Sequence, residues 1–317
     1  MRTLPIAALL LAALFVAPLP ACSSSSADAA CRVGADCASG ACGADGRCAP
    51  IASDDAGHDA PSDAIGSDTK VDSAPLDGKS DAPSGCTPNG DFQIDPAELP
   101  LAAGLKATYR VATSATVSTA GVAQPDGTRR WDLSGALAGD KDVLVETLSP
   151  AGAWWSADFA GASYAVGLSA SSDLLGVFTL DAVSLSLRGI VSPTSAAPKT
   201  ELTYATPIPF VKLPLKLGSA WTTTSNVSGT ASGFPAFVTE SYDVKVDQKG
   251  TLVTPFAAFP VLRVRTTLTR TVGAVVTVTR SFGFVAECFG TVGSVTSNPN
   301  EPTEEFTTAA EARRLAP

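Results

Sequence analysis

Hydrophobic and polar residues alternate with period two along most of the chain after Cys86. The clearest segment begins at Leu262, where Leu262, Val264 and Leu268 alternate with arginines and threonines. Such alternation is typical of a half-buried β-strand. The same pattern returns in residues 105–111, 143–145, 183–187, 221–227, 242–246 and 276–278. Val272-Gly273-Ala274 lies between two such segments and predicts a hairpin. The repetition of alternating segments along the chain indicates ten or more strands.

Helical periodicity is weak throughout this region. No segment keeps a 3.6-residue period over three turns, and only Ser172 to Phe178 and Ala309 to Leu315 are compatible with a short helix. Asp and Gly within Val246 to Leu252 predict a turn there. We therefore predict an all-β domain at residues 86–317, an antiparallel sandwich or an open barrel-like sheet. The alternative is a boundary at Ser192 to Lys199 that divides it into two smaller sheets.

The first residues have a different pattern. A basic start is followed by an apolar run from Leu4 to Ala17, which is too short to span a bilayer. The run ends at Leu19-Pro20-Ala21-Cys22, followed by four serines, and resembles a bacterial lipoprotein signal, with Pro20 unusual at its place. The resemblance implies that residues 1–21 are removed and that Cys22 carries the lipid (palmitate). The alternative is an ordinary cleaved signal peptide with an unpaired Cys22.

Setting Cys22 aside leaves six cysteines, an even number that in an exported chain indicates disulfides. Four lie in residues 31–48, which resemble the short two-disulfide modules of exported proteins: Cys31, Cys37, Cys42 and Cys48. Their connectivity stays open, and a zinc site is the alternative, although the paired C-x-x-C spacing is absent. Cys86 and Cys288 are left to pair. That bridge would close a loop of about 200 residues and contribute up to about 5 kcal/mol.

The segments between these parts are polar. Residues 22–30 form a Ser-rich spacer after the anchor, and residues 49–85 repeat Asp, Ala, Ser and Pro with few large apolar side chains. Such a composition predicts a disordered acidic linker. Residues 22–85 hold eleven Asp and four basic residues, for a charge of -7, whereas residues 86–317 have -3. No basic patch with interleaved aromatic residues appears, which argues against a nucleic-acid partner.

One motif at the start of the β-domain suggests metal binding. Residues 86–99 resemble the calcium loop of EF-hands and dockerins, with candidate oxygen ligands at Asn89, Asp91, Asp95 and Glu98. Thr87 stands where the family has Asp, and Phe92 stands where it has Gly. We therefore predict at most weak binding of calcium here and no other cofactor. The alternative is a turn that resembles the calcium loop in sequence and binds no metal.

Other candidate chemistry is limited by composition. The only histidine, His58, lies in the linker, so the β-domain contains no catalytic histidine and no histidine ligand for a metal. Glu240, Asp243 and Glu287 are the obvious acids for a carboxylate-based hydrolase, but Glu240 and Asp243 are three apart on one strand and should face opposite sides.

Two aromatic or basic pairs are further candidates. Trp154-Trp155, interpreted as lying on a strand, would bury one ring and leave the other ring for a sugar or an apolar ligand, or under a loop. Arg129-Arg130-Trp131 suggests an anion site, with solvated arginines at the end of a strand as the alternative.

Three functions follow from these features. The first is a non-catalytic binding or structural module of the cell envelope, anchored through Cys22 in the outer membrane and facing the periplasm or the cell surface. The second is a carrier of an apolar ligand in an open β-barrel, suggested by the many strands and a mean hydropathy of +0.20. The third is a polysaccharide hydrolase.

The expected partners of such a module are the membrane and an envelope protein, polysaccharide or lipid; the sequence does not determine the oligomeric state. Residues 246–252, 254–264, 280–297 and 304–315 are similar to those of a recurrent class of exported bacterial lipoproteins. That similarity implies an architecture but no activity.

Overall fold

The computed structural model describes residues 85–317, whose regular secondary structure is almost entirely β. Sixteen strands follow one another with a single 3₁₀ turn, Pro96–Glu98, after the first. The strands are β1 (Gln93–Ile94), β2 (Lys106–Thr116), β3 (Val122–Ala123), β4 (Arg129–Asp132), β5 (Lys141–Glu146), β6 (Tyr164–Ser169), β7 (Ser172–Leu180), β8 (Ser184–Val191), β9 (Glu201–Lys212), β10 (Leu215–Lys216), β11 (Ala220–Ala231), β12 (Phe234–Val253), β13 (Ala258–Val272), β14 (Val275–Ala286), β15 (Gly290–Ser297) and β16 (Thr308–Leu315).

Twelve of these strands form one antiparallel, barrel-like sheet. Its order is β5-β2-β16-β15-β14-β13-β12-β11-β9-β8-β7-β6. The two outermost strands are joined through a single bridge, in which Leu148 and Ala165 exchange both backbone hydrogen bonds, at 2.7 and 2.9 Å. Closing a sheet in this way pairs edge strands that would otherwise expose open donors and acceptors. The predicted all-β fold is confirmed, and of the two architectures the barrel-like sheet is observed.

The sheet carries a hydrophobic core on each face. The inner core, which defines the inner face, joins buried residues of β6–β9 to those of β11–β14, for example Phe178, Ile208 and Val244. On the outer face of β12–β16 and β2, a second core contains Trp131 and Phe284. The connecting segments 117–140 and 298–307 supply part of that outer core, so the middle strands are covered on both sides.

A β-bulge produces this two-sided burial within a single strand. The register of β12 against β13 shifts between Val246 and Gln248, leaving Asp247 as the extra residue. Val246 packs in the inner core, whereas Leu252, an even number of residues later, packs in the outer core. A one-residue insertion moves every following side chain to the other face. The turn predicted at Val246 to Leu252 is therefore wrong: the strand continues through a bulge.

The base of the barrel-like sheet, where the chain enters, is covered by the first described segment. β1 pairs with β10, and Ile94 and Leu99 pack in the inner core. The predicted pairing of Cys86 with Cys288 is confirmed, and this disulfide ties the entry segment to the end of β14 across 202 residues of sequence.

The tertiary structure corrects two local interpretations and rules out one alternative. Both segments considered for short helices are strands, Ser172 to Phe178 within β7 and Ala309 to Leu315 within β16, because each pairs with neighbours on both sides. Trp154-Trp155 lies in a series of turns between β5 and β6, not on a strand. The alternative boundary at 192–199 is a loop joining β8 and β9, which are neighbours in one sheet.

Several predictions concern residues 1–84, which lie outside the described part of the chain. These are the signal at residues 1–21, the lipidated Cys22, the cysteines of the module at residues 31–48, and the linker at 49–85. They stay predictions. Over residues 85–317, no helix has both the length and the apolar character needed to cross a membrane.

Candidate functional site

The candidate site is a carboxylate on the inner face of the sheet. Glu240 lies in β12 on the same face as Tyr242 and Val244, since alternate residues of a strand share a face. Its neighbours in the register are Ser225 of β11 and Arg270 of β13. The side chain of Glu240 is only 3% exposed. A buried charge is tolerated when it is paired and hydrogen-bonded, and this one is.

Three side chains donate to this carboxylate. The hydroxyls of Tyr204 and Tyr242 donate to Oε2 at 2.7 and 2.8 Å, and Nε of Arg270 donates to Oε1 at 2.7 Å. Burial, followed by the charge of Glu240, raises the pKa of Tyr204 above its ordinary value. Burial also raises the pKa of Tyr242. Both hydroxyls therefore remain donors, and both carboxylate oxygens are engaged.

Arg270 is the accessible member of this cluster. Its side chain is 49% exposed, although Glu240 beside it is buried. Nε and Nη2 face the carboxylate, and within residues 85–317 no hydrogen bond engages Nη1. A guanidinium held by a carboxylate on one edge keeps donors on its other edge for an anionic group. Val238 and Leu268, each two residues before Glu240 or Arg270 on the same face, are partly buried against the inner core.

The inner face changes from apolar to polar around the sheet. From β6 to β12 it is formed largely by the aliphatic and aromatic residues of the inner core. From β13 onward the residues that follow Val244 across the strands carry hydroxyl groups and are only partly buried. Val244 pairs with Thr266, Thr266 with Ser281, and Ser281 with Thr296. The row ends where Thr296 pairs with Glu311. One wall of the interior is therefore apolar and the other can form hydrogen bonds.

Glu311 is the second carboxylate of the inner face, and it is also fully engaged. Its Oε2 accepts from the hydroxyl of Ser169 and the backbone N–H of Ala170, both at 2.9 Å. Its Oε1 accepts from Nε of Arg313 at 2.5 Å. These contacts fasten the turn between β6 and β7 to β16 and engage both oxygens of Glu311.

The calcium-loop candidate at the base is a hydrogen-bonded turn. Asn89 Oδ1 accepts from the N–H of Asp91 at 2.9 Å, and Asp91 Oδ1 accepts from the N–H of Gln93 at 2.7 Å. Glu98 Oε2 accepts from the N–H of Asp95 at 3.0 Å, and burial raises the pKa of Glu98. No cluster of three or more potential metal ligands occurs in residues 85–317. The four oxygen ligands stay a prediction, and the observed geometry uses three of them to cap backbone N–H groups.

The three acids considered for hydrolysis lie apart. Glu240 is buried on the inner face, whereas Asp243 is exposed on the outer face, as the spacing indicated. Glu287 lies at the base beside the disulfide, and its Oε2 accepts from the N–H groups of Asn89 and Gly90 at 2.7 and 2.8 Å. These three acids therefore form no facing pair.

The aromatic and basic candidates are mostly structural. Trp155 is buried, whereas Trp154 is half-buried, donates from Nε1 to the carbonyl of Ser192 at 3.1 Å and lies under Nζ of Lys199. Arg129 lies in β4, which pairs in parallel with the end of β12. Its Nη1 donates to the carbonyl of Ala120 at 3.0 Å.

Sequence reasoning missed two buried arginines, Arg263 and Arg314. Arg263 donates to Asp247 at 2.8 and 3.0 Å and to Glu305 at 2.7 Å, with its guanidinium over the rings of Trp131 and Phe282. Arg314 pairs with Asp140. Both fasten connecting segments onto the outer face, and neither lies near Glu240. In the sequence Arg263 occupies a polar position of an alternating strand, and Arg314 lies in the segment considered for a short helix, so neither gave a sign of burial.

Glu240 itself left a signal that could have been used. Val238, Tyr242, Val244 and Val246 share its face, so a carboxylate stands in the middle of an apolar stripe. Arg270 and Tyr204 gave no comparable signal, because their approach depends on the strand order. A comparison of the chain with protein-family models, with curated proteins and with solved structures finds no match.

Proposed function

We propose that this chain is a membrane-anchored exported lipoprotein whose β-domain is a non-catalytic binding module of the cell envelope. The anchor rests on Leu19-Pro20-Ala21-Cys22 and on the acylation that its resemblance to lipoprotein signals implies. The binding role is supported by the observation that Glu240, the most deeply buried acid of the inner face, is held by three donors. A carboxylate with both oxygens engaged holds Arg270 in place and is poorly suited to act as a base.

The inner face also favours the second function, a carrier of an apolar ligand, in an amphipathic form. One wall is aliphatic and aromatic, the other carries hydroxyls, and Arg270 presents Nη1 on the same face as the partly buried Val238 and Leu268. Ligand sites are mostly apolar with a few fixed polar groups, and this wall has that composition. The ligand that fits is an apolar chain ending in an anionic group, which would place its negative end on Arg270.

Hydrolysis of polysaccharide is not proposed. It requires two carboxyl groups flanking the scissile bond across a cleft. Glu240 and Asp243 lie on opposite faces of β12, and Glu287 is engaged at the base.

The ligand-binding proposal is tested by native mass spectrometry of the full chain extracted from membranes, followed by titration with a fluorescent fatty acid. We expect a bound adduct, and an affinity that Arg270→Gln lowers about tenfold through loss of a charge-assisted contact. The control is Arg130→Gln, which removes an arginine side chain 48% exposed in β4. The carrier would be refuted if no adduct were found and if the unchanged chain, Arg270→Gln and Arg130→Gln bound the fatty acid with equal affinity. The binding module would be replaced by an enzyme if the chain hydrolysed an envelope polysaccharide and Glu240→Gln abolished that activity.

The anchor is tested separately by fractionating cells that express the chain or its Cys22→Ser variant. We expect the chain in the outer-membrane fraction and the variant released from it. A variant that remains in that fraction to the same extent would refute lipidation at Cys22 as the anchor.

A further inference from the structure

Two neighbouring hairpin tips expose apolar side chains at the end of the sheet opposite the disulfide. Phe234 and Phe237, at the β11–β12 tip, are 74% and 75% exposed. Val272, Val275 and Val276, at the β13–β14 tip, are 49%, 65% and 54% exposed. The two hairpins are adjacent, because β12 pairs with β13 up to Thr239 and Thr271.

Both faces of the tips carry exposed apolar side chains. Phe234 is in phase with Glu240 and so belongs to the inner face, whereas Phe237 belongs to the outer face. Val272 and Val275 are paired on the inner side, and Val276 lies on the outer side. A strand that packs against a protein partner needs one apolar face only. Exposed apolar side chains on both faces are what a tip surrounded by an apolar medium requires.

Charge is absent from the tips and present directly below them. Residues 217–239 and 271–279 contain no Asp, Glu, Lys or Arg. Arg270 and Arg280 flank the β13–β14 tip. By the alternation of side chains along the two strands, Arg270 lies on the inner face and Arg280 on the outer face. Lys199 lies beside the other tip, where its carbonyl accepts from the N–H of Gly233 at 2.9 Å. Its Nζ lies over Trp154 and also pairs with Glu201 at 2.9 Å. Basic and tryptophan residues at this level fit the headgroups of a bilayer.

The backbone of the β11–β12 tip is also prepared for an apolar medium. The N–H of Ser232 donates to the hydroxyl of Thr200 at 2.9 Å, and the N–H of Gly233 is bonded to Lys199. Backbone donors without partners are costly in a membrane, and these two have partners within the protein.

We infer that the two hairpin tips insert into the surface of a lipid bilayer, with Arg270, Arg280 and Lys199 at the level of anionic headgroups. This contact is separate from the lipid at Cys22 and does not depend on it. An apolar ligand carried inside the sheet would reach the bilayer at this end, but the insertion stands or falls without that role.

The test uses a chain that begins at residue 23, because residues 1–22 would bind lipid by themselves. Every described core, and the disulfide, lies within residues 86–317, so this chain retains all of them. Its binding is measured by co-flotation with phosphatidylcholine vesicles, with and without phosphatidylglycerol. We expect binding that strengthens with the anionic lipid.

Variants of the tips identify the surface. Phe234→Ser with Phe237→Ser should lower the partition coefficient more than about tenfold, because two exposed rings no longer leave water. Val183→Ser is the control for Val275→Ser, since both valines are 65% exposed and Val183 lies at the other end of the sheet. A Phe237→Trp variant should show a blue-shifted emission that lipid-borne quenchers reduce.

Three results would overturn the inference. The first is absence of binding to either vesicle, and the second is equal loss of binding in Val183→Ser and Val275→Ser. The third is a dimer that the two Phe variants abolish while vesicle binding is unchanged, because the tips would then contact a second copy. Circular dichroism of each variant verifies that the sheet is intact, and Phe237→Trp reports insertion without removing an apolar group.

Discussion

Replacing Glu240 with glutamine removes a charge from the inner face with little change in shape. The carboxylate is 3% exposed and accepts from the hydroxyls of Tyr204 and Tyr242 and from Arg270. Glutamine offers one oxygen and two N–H donors in its place. Both tyrosine hydroxyls then lose a charged acceptor, and together with the guanidinium they compete for a single oxygen.

The cost follows from which partners are buried. Charge-assisted hydrogen bonds contribute about 1.5 to 3 kcal/mol each, and part is recovered through neutral bonds to the new amide. Loss of one partner from a buried ion pair costs about 3 to 5 kcal/mol, an upper value here because Arg270 is half exposed and can be hydrated. We expect Glu240→Gln to lower the free energy of unfolding by about 2 to 3 kcal/mol. For a domain of this size that corresponds to a fall in Tm of roughly 4 to 12 °C.

Urea unfolding, followed by circular dichroism, measures the effect as a shift of the midpoint at constant slope. Asp243→Asn is the matched control, because Asp243 lies three residues away on the exposed outer face and accepts only from Thr222. We expect that control to change stability by less than about 0.5 kcal/mol. Equal midpoints for Glu240→Gln and Asp243→Asn would refute the argument that the cluster stabilises the inner face.

Three further predictions concern the sheet as a whole. Replacing both Cys86 and Cys288 by serine should lower the free energy of unfolding by up to about 5 kcal/mol, since the bridge spans 202 residues; a loss below about 1 kcal/mol in urea unfolding would contradict this. Burial raises the pKa of Tyr109 to about 12 and raises those of the other three tyrosines, so the folded chain retains protons that the unfolded chain releases above about pH 10. Stability should therefore fall as pH rises from about 10, with phenolate absorbance appearing together with loss of the β-sheet signal, and gradual ionisation before unfolding would contradict the burial. Gly250→Ala would place a Cβ 1.8 Å from the carbonyl oxygen of Arg129 and should lower Tm by several degrees, whereas Gly167→Ala, with open space around its Cβ, serves as the control; equal Tm values would contradict the close packing of β4.

The strands themselves could be predicted because their signal is local. Side chains alternate between faces with period two, so the segment from Leu262 to Leu268 identifies a strand without reference to any other part of the chain. The pairing of Cys86 with Cys288 followed from counting. The short helix considered at Ala309 to Leu315 does not form, because its alanines favour a helix only when no neighbouring strand competes, and here β15 and β2 pair with it on both sides.

The candidate site depended on distant contacts. In the sequence Glu240 and Asp243 are two acids on one strand, and only the order of β9, β11, β12 and β13 brings Tyr204 and Arg270 to the first of them. The bulge at Asp247, the bridge between Leu148 and Ala165, and the burial of Arg263 likewise arise from strand pairing across the fold.

The sequence by itself determined the β-class, the approximate strands and the disulfide of this domain, because alternation and cysteine number are properties of short segments and of composition. The tertiary structure alone decided the closure of the sheet, the face on which each charge lies, and the position of the two apolar tips beside each other. Those features depend on hydrogen bonds between residues far apart in the chain, and a pattern of neighbouring residues contains no information about them.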